Sequence, residues 1–383
     1  MKTTNIQYFR LIYGYSVFLL LNIKLFKKRF SDPIVLHTSA WIIVFIIGIF
    51  NYDKYYRLNS FFWQCWSLWF VFFAIGYYII NPKVILNFKK INYVALPNYY
   101  FGLNIISFIF FILTIQQGLQ GGYGNFMMNL RLSFILKTNT LLQPFFFLFT
   151  FIWPVFLYEG VVYKNKKNLI ASIIFLLVYT FASGGKFGIL MTVSAIVLIF
   201  NQRKRIKKKY LLIILGTSMV LIGIMSIMRE QSEDAFSAYT YAPLIAFQSL
   251  ENTSGTHWGH ETFRFFYSAF NTLGLSDTPP PEDFYDYIMT PVFINVYTVM
   301  RPFYVDFGIN GIIFGALFYG LFFSYCYKGY LKGRLMQSSL YFGFAFAIVS
   351  VPFADLLFLN LSLVFRTIII CLLIFISINR KKI

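Results

Sequence analysis

Long runs of hydrophobic residues recur along almost the whole chain, and short polar segments separate them. Most runs have the roughly 17–25 residues that a helix needs to cross a hydrocarbon core about 30 Å thick. The pattern therefore predicts about eleven membrane-spanning helices. They lie at residues 11–23, 34–50, 60–80, 98–118, 138–159, 168–182, 187–200, 210–228, 308–327, 336–353 and 356–378.

Composition supports the same class of protein. Hydrophobic residues make up 58% of the chain and charged residues 12%, and the mean hydropathy is +0.66. Soluble domains have about 45–50% apolar and about 25% charged residues. We therefore predict an all-α polytopic membrane protein. The short segment 11–23 lacks a small-residue cleavage site, so we interpret it as a first helix or an anchor.

Basic residues follow an alternating pattern that predicts the topology. Most of the 33 Lys and Arg residues fall in every second connection, at residues 24–29, 83–90, 164–167, 203–209, 328–334 and 380–382. Cytoplasmic loops are enriched in Lys and Arg. The C-terminus is therefore expected in the cytoplasm, and alternation places the N-terminus outside. We interpret the run at 203–209 as an orientation signal that contacts anionic membrane lipid, and not as a nucleic-acid site.

The outward connections are then residues 51–59, 119–137, 183–186, 229–307 and 354–355. Three parts follow in chain order: about eight helices in 1–228, with a re-entrant or amphipathic segment at 118–137; a large extracytoplasmic loop at 229–307; and about three helices in 308–383. The loop carries most of the chain's 14 acidic residues. A solvated loop with acids and bases is where we expect chemistry.

Four short sequence motifs lie in or next to the predicted outward connections. A turn at 183–186 reads Ser-Gly-Gly-Lys, residues 259–263 read G-H-E-T-F, residues 295–298 read N-V-Y-T, and residues 306–311 fit D-F-G-x-x-G. In order and topology, residues 118–325 resemble the O-antigen and oligosaccharide-repeat-unit polymerases of the Wzy type. The chain departs from that family in having Lys186 where Arg is frequent, and the spacing from Arg264 to Gly274 only approximates the family's Arg-x10-Gly pattern.

The resemblance implies a membrane glycosyltransferase of GT-C-like architecture, with its active site on the extracytoplasmic side of the bacterial cytoplasmic (inner) membrane. Such an enzyme moves a growing glycan from undecaprenyl diphosphate to the non-reducing end of another carrier-linked repeat unit. The carrier-linked oligosaccharide and membrane lipid are the expected partners, together with a chain-length regulator and a flippase. No cofactor is expected.

This reaction needs cations for the departing diphosphate and a base for the acceptor hydroxyl. Arg binds phosphate oxygens with a planar fork and keeps its charge. As catalytic residues we predict His260, Glu261, Arg264 and Arg301. As substrate- or diphosphate-binding residues we predict Arg131, Lys186, Arg229, Tyr297 and Arg366.

Each candidate has a structural alternative. The cations can be interfacial residues or ion-pair partners of the acidic loop, and His260 can be a loop residue bonded to backbone. Arg366, in the middle of the last span, can reach the lipid diphosphate or form a buried pair with Asp355. No outward metal motif is evident, so we expect transfer without a metal.

Two other functions stay open at this point. A ligase of related architecture would pass the finished glycan to a different acceptor. A flippase or transporter of lipid-linked oligosaccharide would carry charged residues along several spans, whereas only Arg366 stands out here.

The predicted topology is tested by labelling single cysteines from outside the cell, in a variant whose native cysteines are replaced. Cysteines at positions 120, 255 and 283 should react with a membrane-impermeant reagent, and those at positions 166, 206 and 332 should not. Labelling of position 255 only after the membrane is opened would contradict the topology.

Overall fold

A computed structural model describes residues 29–51, 54–80, 99–120, 124–149, 165–203, 240–253, 258–282 and 285–380, with a few isolated positions besides. The described chain is mostly helical. Its helices are α1 (Pro33–Phe50), α2 (Ser60–Ile80), α3 (Tyr100–Gln120), α4 (Phe126–Ile135), α5 (Lys166–Ala182), α6 (Lys186–Arg203), α7 (Ala242–Gln248), α8 (Arg264–Thr272), α9 (Met300–Leu331), α10 (Leu335–Val349) and α11 (Leu361–Arg380). Strands β1 (Ile288–Met289) and β2 (Phe293–Ile294) form an antiparallel hairpin.

Four of these helices, α1, α2, α3 and α9, are long and apolar enough to cross a membrane. The bounds of α1, α2 and α3 lie within two residues of the spans predicted from hydropathy, whereas α9 begins eight residues before its predicted span. The all-α membrane class is confirmed at this level. The predicted spans at 11–23 and 210–228 lie outside the described residues, as does part of 138–159. The count of eleven and the GT-C architecture stay predictions.

The chain divides into two compact units that are each discontinuous in sequence. The first contains residues 1–84, 233–328 and 347–362, and the second contains residues 85–232, 329–346 and 363–383. The three parts predicted above follow chain order instead. Each unit is described by itself below.

In the first unit, α1 begins with two residue types that favour the start of a helix. Asp32 caps the helix, its side chain accepting a hydrogen bond from the amide of Ile34 at 3.2 Å, and Pro33 occupies the first turn, where its missing N–H costs nothing. The other oxygen of Asp32 accepts a hydrogen bond of 2.9 Å from the Tyr77 hydroxyl on α2. This buried carboxylate therefore fixes both the start of α1 and its neighbour.

Helices α2 and α9 approach each other closely at two glycines. A Cβ at Gly76 would collide with the backbone oxygen of Leu317, and a Cβ at Gly320 would collide with the backbone oxygen of Phe73. Small residues at helix interfaces allow such contact between backbones in membranes. The glycines therefore set the distance between these two helices.

Helix α9 is broken near its beginning. Gly308 has φ 61° and ψ −144°, which is not helical and which an L side chain rarely adopts. The break leaves a short helix at residues 300–307 and a longer one at residues 309–331. The predicted span from residue 308 corresponds to the longer part, while Arg301 and Asp306 lie on the short helix that the sequence analysis had placed in the loop.

We predict that Gly320→Leu lowers the thermal stability of the purified protein. The added side chain meets backbone at Phe73, and overpacking of this kind costs about 1–3 kcal/mol. Gly102→Leu on α3 is the matched control, because nothing lies within 4 Å of its Cβ position. Equal melting temperatures for the two variants would show that α2 and α9 do not depend on this close contact.

Candidate functional site

The large loop is fastened to the short helix of α9 by one carboxylate. Asp306 accepts hydrogen bonds from the amides of Glu261 at 3.2 Å and Thr262 at 2.7 Å. Asp306 is buried, and charge-assisted bonds of this kind are roughly twice as strong as neutral ones. The G-H-E-T-F and D-F-G-x-x-G motifs, which are far apart in the sequence, are thus in direct contact.

Aromatic packing reinforces the same junction. The ring of Phe263 lies 6.4 Å from that of Phe307 and 6.2 Å from that of Phe358. Gly259 has φ 86°, and a Cβ there would lie 2.7 Å from the Phe263 ring. Only glycine fits this position without displacing the ring.

Arg301 is held at the centre of the site. Its Nη1 lies 3.2 Å from Oε2 of Glu261, and its guanidinium carbon lies 3.5 Å above the centroid of the Tyr285 ring and 5.1 Å from that of Tyr297. The Tyr297 hydroxyl donates to the carbonyl of Asp286 at 3.2 Å. A cation stacked on two rings and paired with a carboxylate is oriented before any ligand arrives.

Tyr285 contributes a neutral phenol. Burial raises its pKa above the usual value, although the nearby charge of Arg301 acts in the opposite direction. The phenol therefore stays protonated at neutral pH and can donate a hydrogen bond.

Arg264, the first residue of α8, closes the loop between that helix and β1. Its Nη2 donates to the carbonyls of Pro281 at 2.9 Å and Glu282 at 2.6 Å. Its charge also acts on Tyr285 and Asp355, which places Arg264 within electrostatic range of the same cluster. Arg264 thus holds the loop and adds positive charge to the site.

The ring of His260 is hydrogen-bonded to the backbone, which is the structural alternative given for this residue in the sequence analysis. Its Nε2 lies 2.9 Å from the carbonyl oxygen of Pro279, and its ring is edge-on to Tyr267 at 4.9 Å. Since a carbonyl can only accept, Nε2 carries the proton in this contact. The role of His260 as a base stays a prediction.

Asp355 belongs to this cluster, and the sequence analysis did not assign it to the site. It lies in the turn between α10 and α11, where one carboxylate oxygen accepts hydrogen bonds from the Tyr319 hydroxyl and from the amides of Leu357 at 3.2 Å and Phe358 at 3.1 Å. Burial raises the pKa of Asp355 to about 6, even though these donors and Arg264 favour the charged form.

Unsatisfied polar atoms concentrate here. Among the described residues, the buried side-chain atoms without a hydrogen-bond partner include those of Glu261, Thr262, Tyr285, Thr298, Arg301 and Asp355. Buried polar atoms are nearly always hydrogen-bonded, and each exception needs an explanation. Their concentration around one cation indicates a place built to receive polar groups.

The second unit holds other predicted residues. Arg131 on α4 lies against the turn before α6, because the Cβ position of Gly184 is 3.2 Å from the Arg131 backbone nitrogen and that of Gly185 is 3.3 Å from Nη1 of Arg131. Arg366 on α11 lies over the ring of Phe147 at 4.8 Å. Arg229 and the side chain of Lys186 lie outside the described residues.

Comparison of the chain with protein-family models, with curated proteins and with solved structures finds no match.

Within the described ranges, no group of three or more His, Cys, Asp or Glu side chains is placed to hold a metal ion. Transfer without a metal stays a prediction.

We predict that Asp355→Asn changes how stability depends on pH. The native pKa of about 6 lies above that of an unfolded Asp, about 3.9, so wild-type protein loses stability as pH rises through this window. From pH 4.5 to 7.5 this loss is about 2 kcal/mol and is absent in the variant. Thermal unfolding at several pH values measures it. Parallel pH curves for the two proteins would contradict the burial of this carboxylate.

Proposed function

We propose that this chain is a glycosyltransferase that polymerises a surface polysaccharide of O-antigen or capsule type, as its resemblance to the Wzy-type polymerases implies. The substrate is an oligosaccharide linked to undecaprenyl diphosphate. The reaction takes place at the extracytoplasmic face of the bacterial inner membrane. A flippase supplies the repeat units, and a chain-length regulator acts on the product.

The observation that supports this proposal most is the geometry of Arg301. The guanidinium is fixed by the Tyr285 ring at 3.5 Å and by Glu261 at 3.2 Å, and its Nε and Nη1 make no hydrogen bond. A second cation, Arg264, is within electrostatic range of the same cluster. Two oriented cations are suited to a diphosphate, because guanidinium forks match phosphate oxygens.

The chemical step exchanges one bond for another. The acceptor hydroxyl oxygen attacks the anomeric carbon of the donor glycan, and the bond from that carbon to the diphosphate oxygen breaks. The electron pair leaves with undecaprenyl diphosphate, where Arg264 and Arg301 stabilise the growing charge. The proton of the acceptor hydroxyl goes to the Glu261 carboxylate.

Glu261 is suited to that role because its position is defined. Asp306 holds its amide, Arg301 holds its carboxylate, and Oε2 accepts no hydrogen bond in the described structure. Asp355 is more deeply buried, and its proton sets the net charge around the two arginines. The role of Arg131, beside the glycine turn of the second unit, as a substrate-binding residue stays a prediction.

We predict that Arg301→Ala and Arg264→Ala each reduce polymerisation about 10²–10³-fold, since that is the usual cost of removing one donor aimed at developing charge. Lys at either position should restore little activity, because an ammonium lacks the bidentate fork. The assay is extension of a defined undecaprenyl-diphosphate repeat unit by purified protein, with products separated by length. Arg57→Ala is the control, because Arg57 is exposed and lies in a different predicted outward connection.

The same assay and a deletion strain separate the competing functions. Wild-type rates in both arginine variants at equal protein levels would exclude this site. A deletion strain of a polymerase carries glycan of one repeat unit, that of a ligase accumulates long carrier-linked chains, and that of a flippase retains repeat units inside. Either of the last two outcomes would replace the proposal.

A further inference from the structure

Helix α8 has an apolar stripe that is partly exposed in the described structure. Phe266, Phe270 and Leu273 follow one another at spacings of four and three residues and are 38%, 48% and 69% exposed. Residues at these spacings lie on one face of a helix. Arg264, the residue that holds the loop, lies on the opposite face together with Asn271.

Further exposed apolar side chains flank the stripe. Trp258, before the helix, is 86% exposed, and Leu275, after it, is 71% exposed. Water-facing loops rarely expose such a concentration of large apolar groups, and contiguous patches of this kind mark an interaction surface.

The stripe is continuous with the outer surface of a helix that is apolar enough to cross the membrane. Phe266 contacts Phe263 at 6.4 Å between ring centroids, and Phe263 contacts Phe307 on α9 at 6.4 Å. Just beyond the break at Gly308, α9 exposes Ile309 and Phe314. A series of aromatic ring contacts therefore connects the stripe with the part of α9 that exposes Ile309 and Phe314.

We infer that α8 lies in the membrane interface, with Phe266, Phe270 and Leu273 among the lipid acyl chains of the bilayer. Short helices with aromatic and leucine side chains on one face bind bilayers in this orientation, and Trp and Phe rings are common at that depth. Arg264 on the other face then lies at the level of lipid phosphates. The part of the large loop that contains α8 is thus bound to the membrane surface and is not fully surrounded by water.

The occupant is the bilayer itself, because the stripe adjoins the exposed side of α9, whose neighbours in a membrane are lipids. A second copy of this chain or another protein could cover a patch of the same chemistry, and the test includes both as outcomes.

The test places a bimane fluorophore on single cysteines, in full-length protein whose native cysteines are replaced and which is reconstituted in liposomes of brominated phosphatidylcholine. Phe270→Cys and Leu273→Cys should be quenched at least about twice as strongly as Asn271→Cys, which lies on the opposite face. Phe108→Cys, on the exposed side of α3, gives the reference for full lipid contact.

Quenching at positions 270 and 273 that does not exceed that at position 271 would overturn the inference. A blue-shifted bimane at 270 without quenching by bromolipid would also overturn it, because a protein surface would then cover the stripe. The liposomes contain no polyprenyl carrier, so the chain of a substrate cannot produce the signal. The measurement requires no turnover and its result does not depend on the proposed function.

Discussion

The candidate site depends on one buried carboxylate that binds two backbone amides. Asp306 accepts from Glu261 and Thr262, and the cost of burying its charge is offset by these bonds. Without them the G-H-E-T-F segment would have two unsatisfied amides beside an apolar junction. Because Glu261 is held through its own backbone, its side chain meets Arg301 in a defined place. The ion pair between Glu261 and Arg301 therefore depends on the contact between Asp306 and the loop, and that contact does not depend on the ion pair.

The break at Gly308 is what allows this junction to exist beside a long hydrophobic helix. The left-handed φ of Gly308 separates residues 300–307 from the rest of α9. The amide of Val299 donates to the carbonyl of Val351 at 2.9 Å, which ties the start of the short helix to the turn that contains Asp355. Arg301 and Asp355 are thereby brought into one cluster although more than fifty residues of chain separate them.

Hydropathy was sufficient to predict the four helices that are long and apolar enough to cross a membrane, because each depends only on a local run of apolar residues. The motif segments were also recognisable in the sequence. Gly259 and Gly308 adopt a positive φ that few residue types adopt, and Asp306 accepts hydrogen bonds from backbone amides. Tyr285 and Asp355 were not predictable in this way. Tyr285 is one of 28 tyrosines, and Asp355 is a single acid in a very short connection. Their importance comes from burial within the cluster of charged groups around Tyr285, which is a property of the folded chain alone.

The balance of charge explains why a carboxylate with a raised pKa matters in this cluster. Arg264 and Arg301 contribute two positive charges, and Glu261 and Asp306 contribute two negative charges, of which that of Asp306 is turned towards the amides that it binds. The remaining charge of the cluster then depends on Asp355. With Asp355 protonated the formal charges balance, whereas its ionisation adds a net negative charge that opposes the binding of a polyanionic group. Since burial holds the pKa of Asp355 near 6, the affinity of the cluster for a diphosphate should weaken as pH rises through that value.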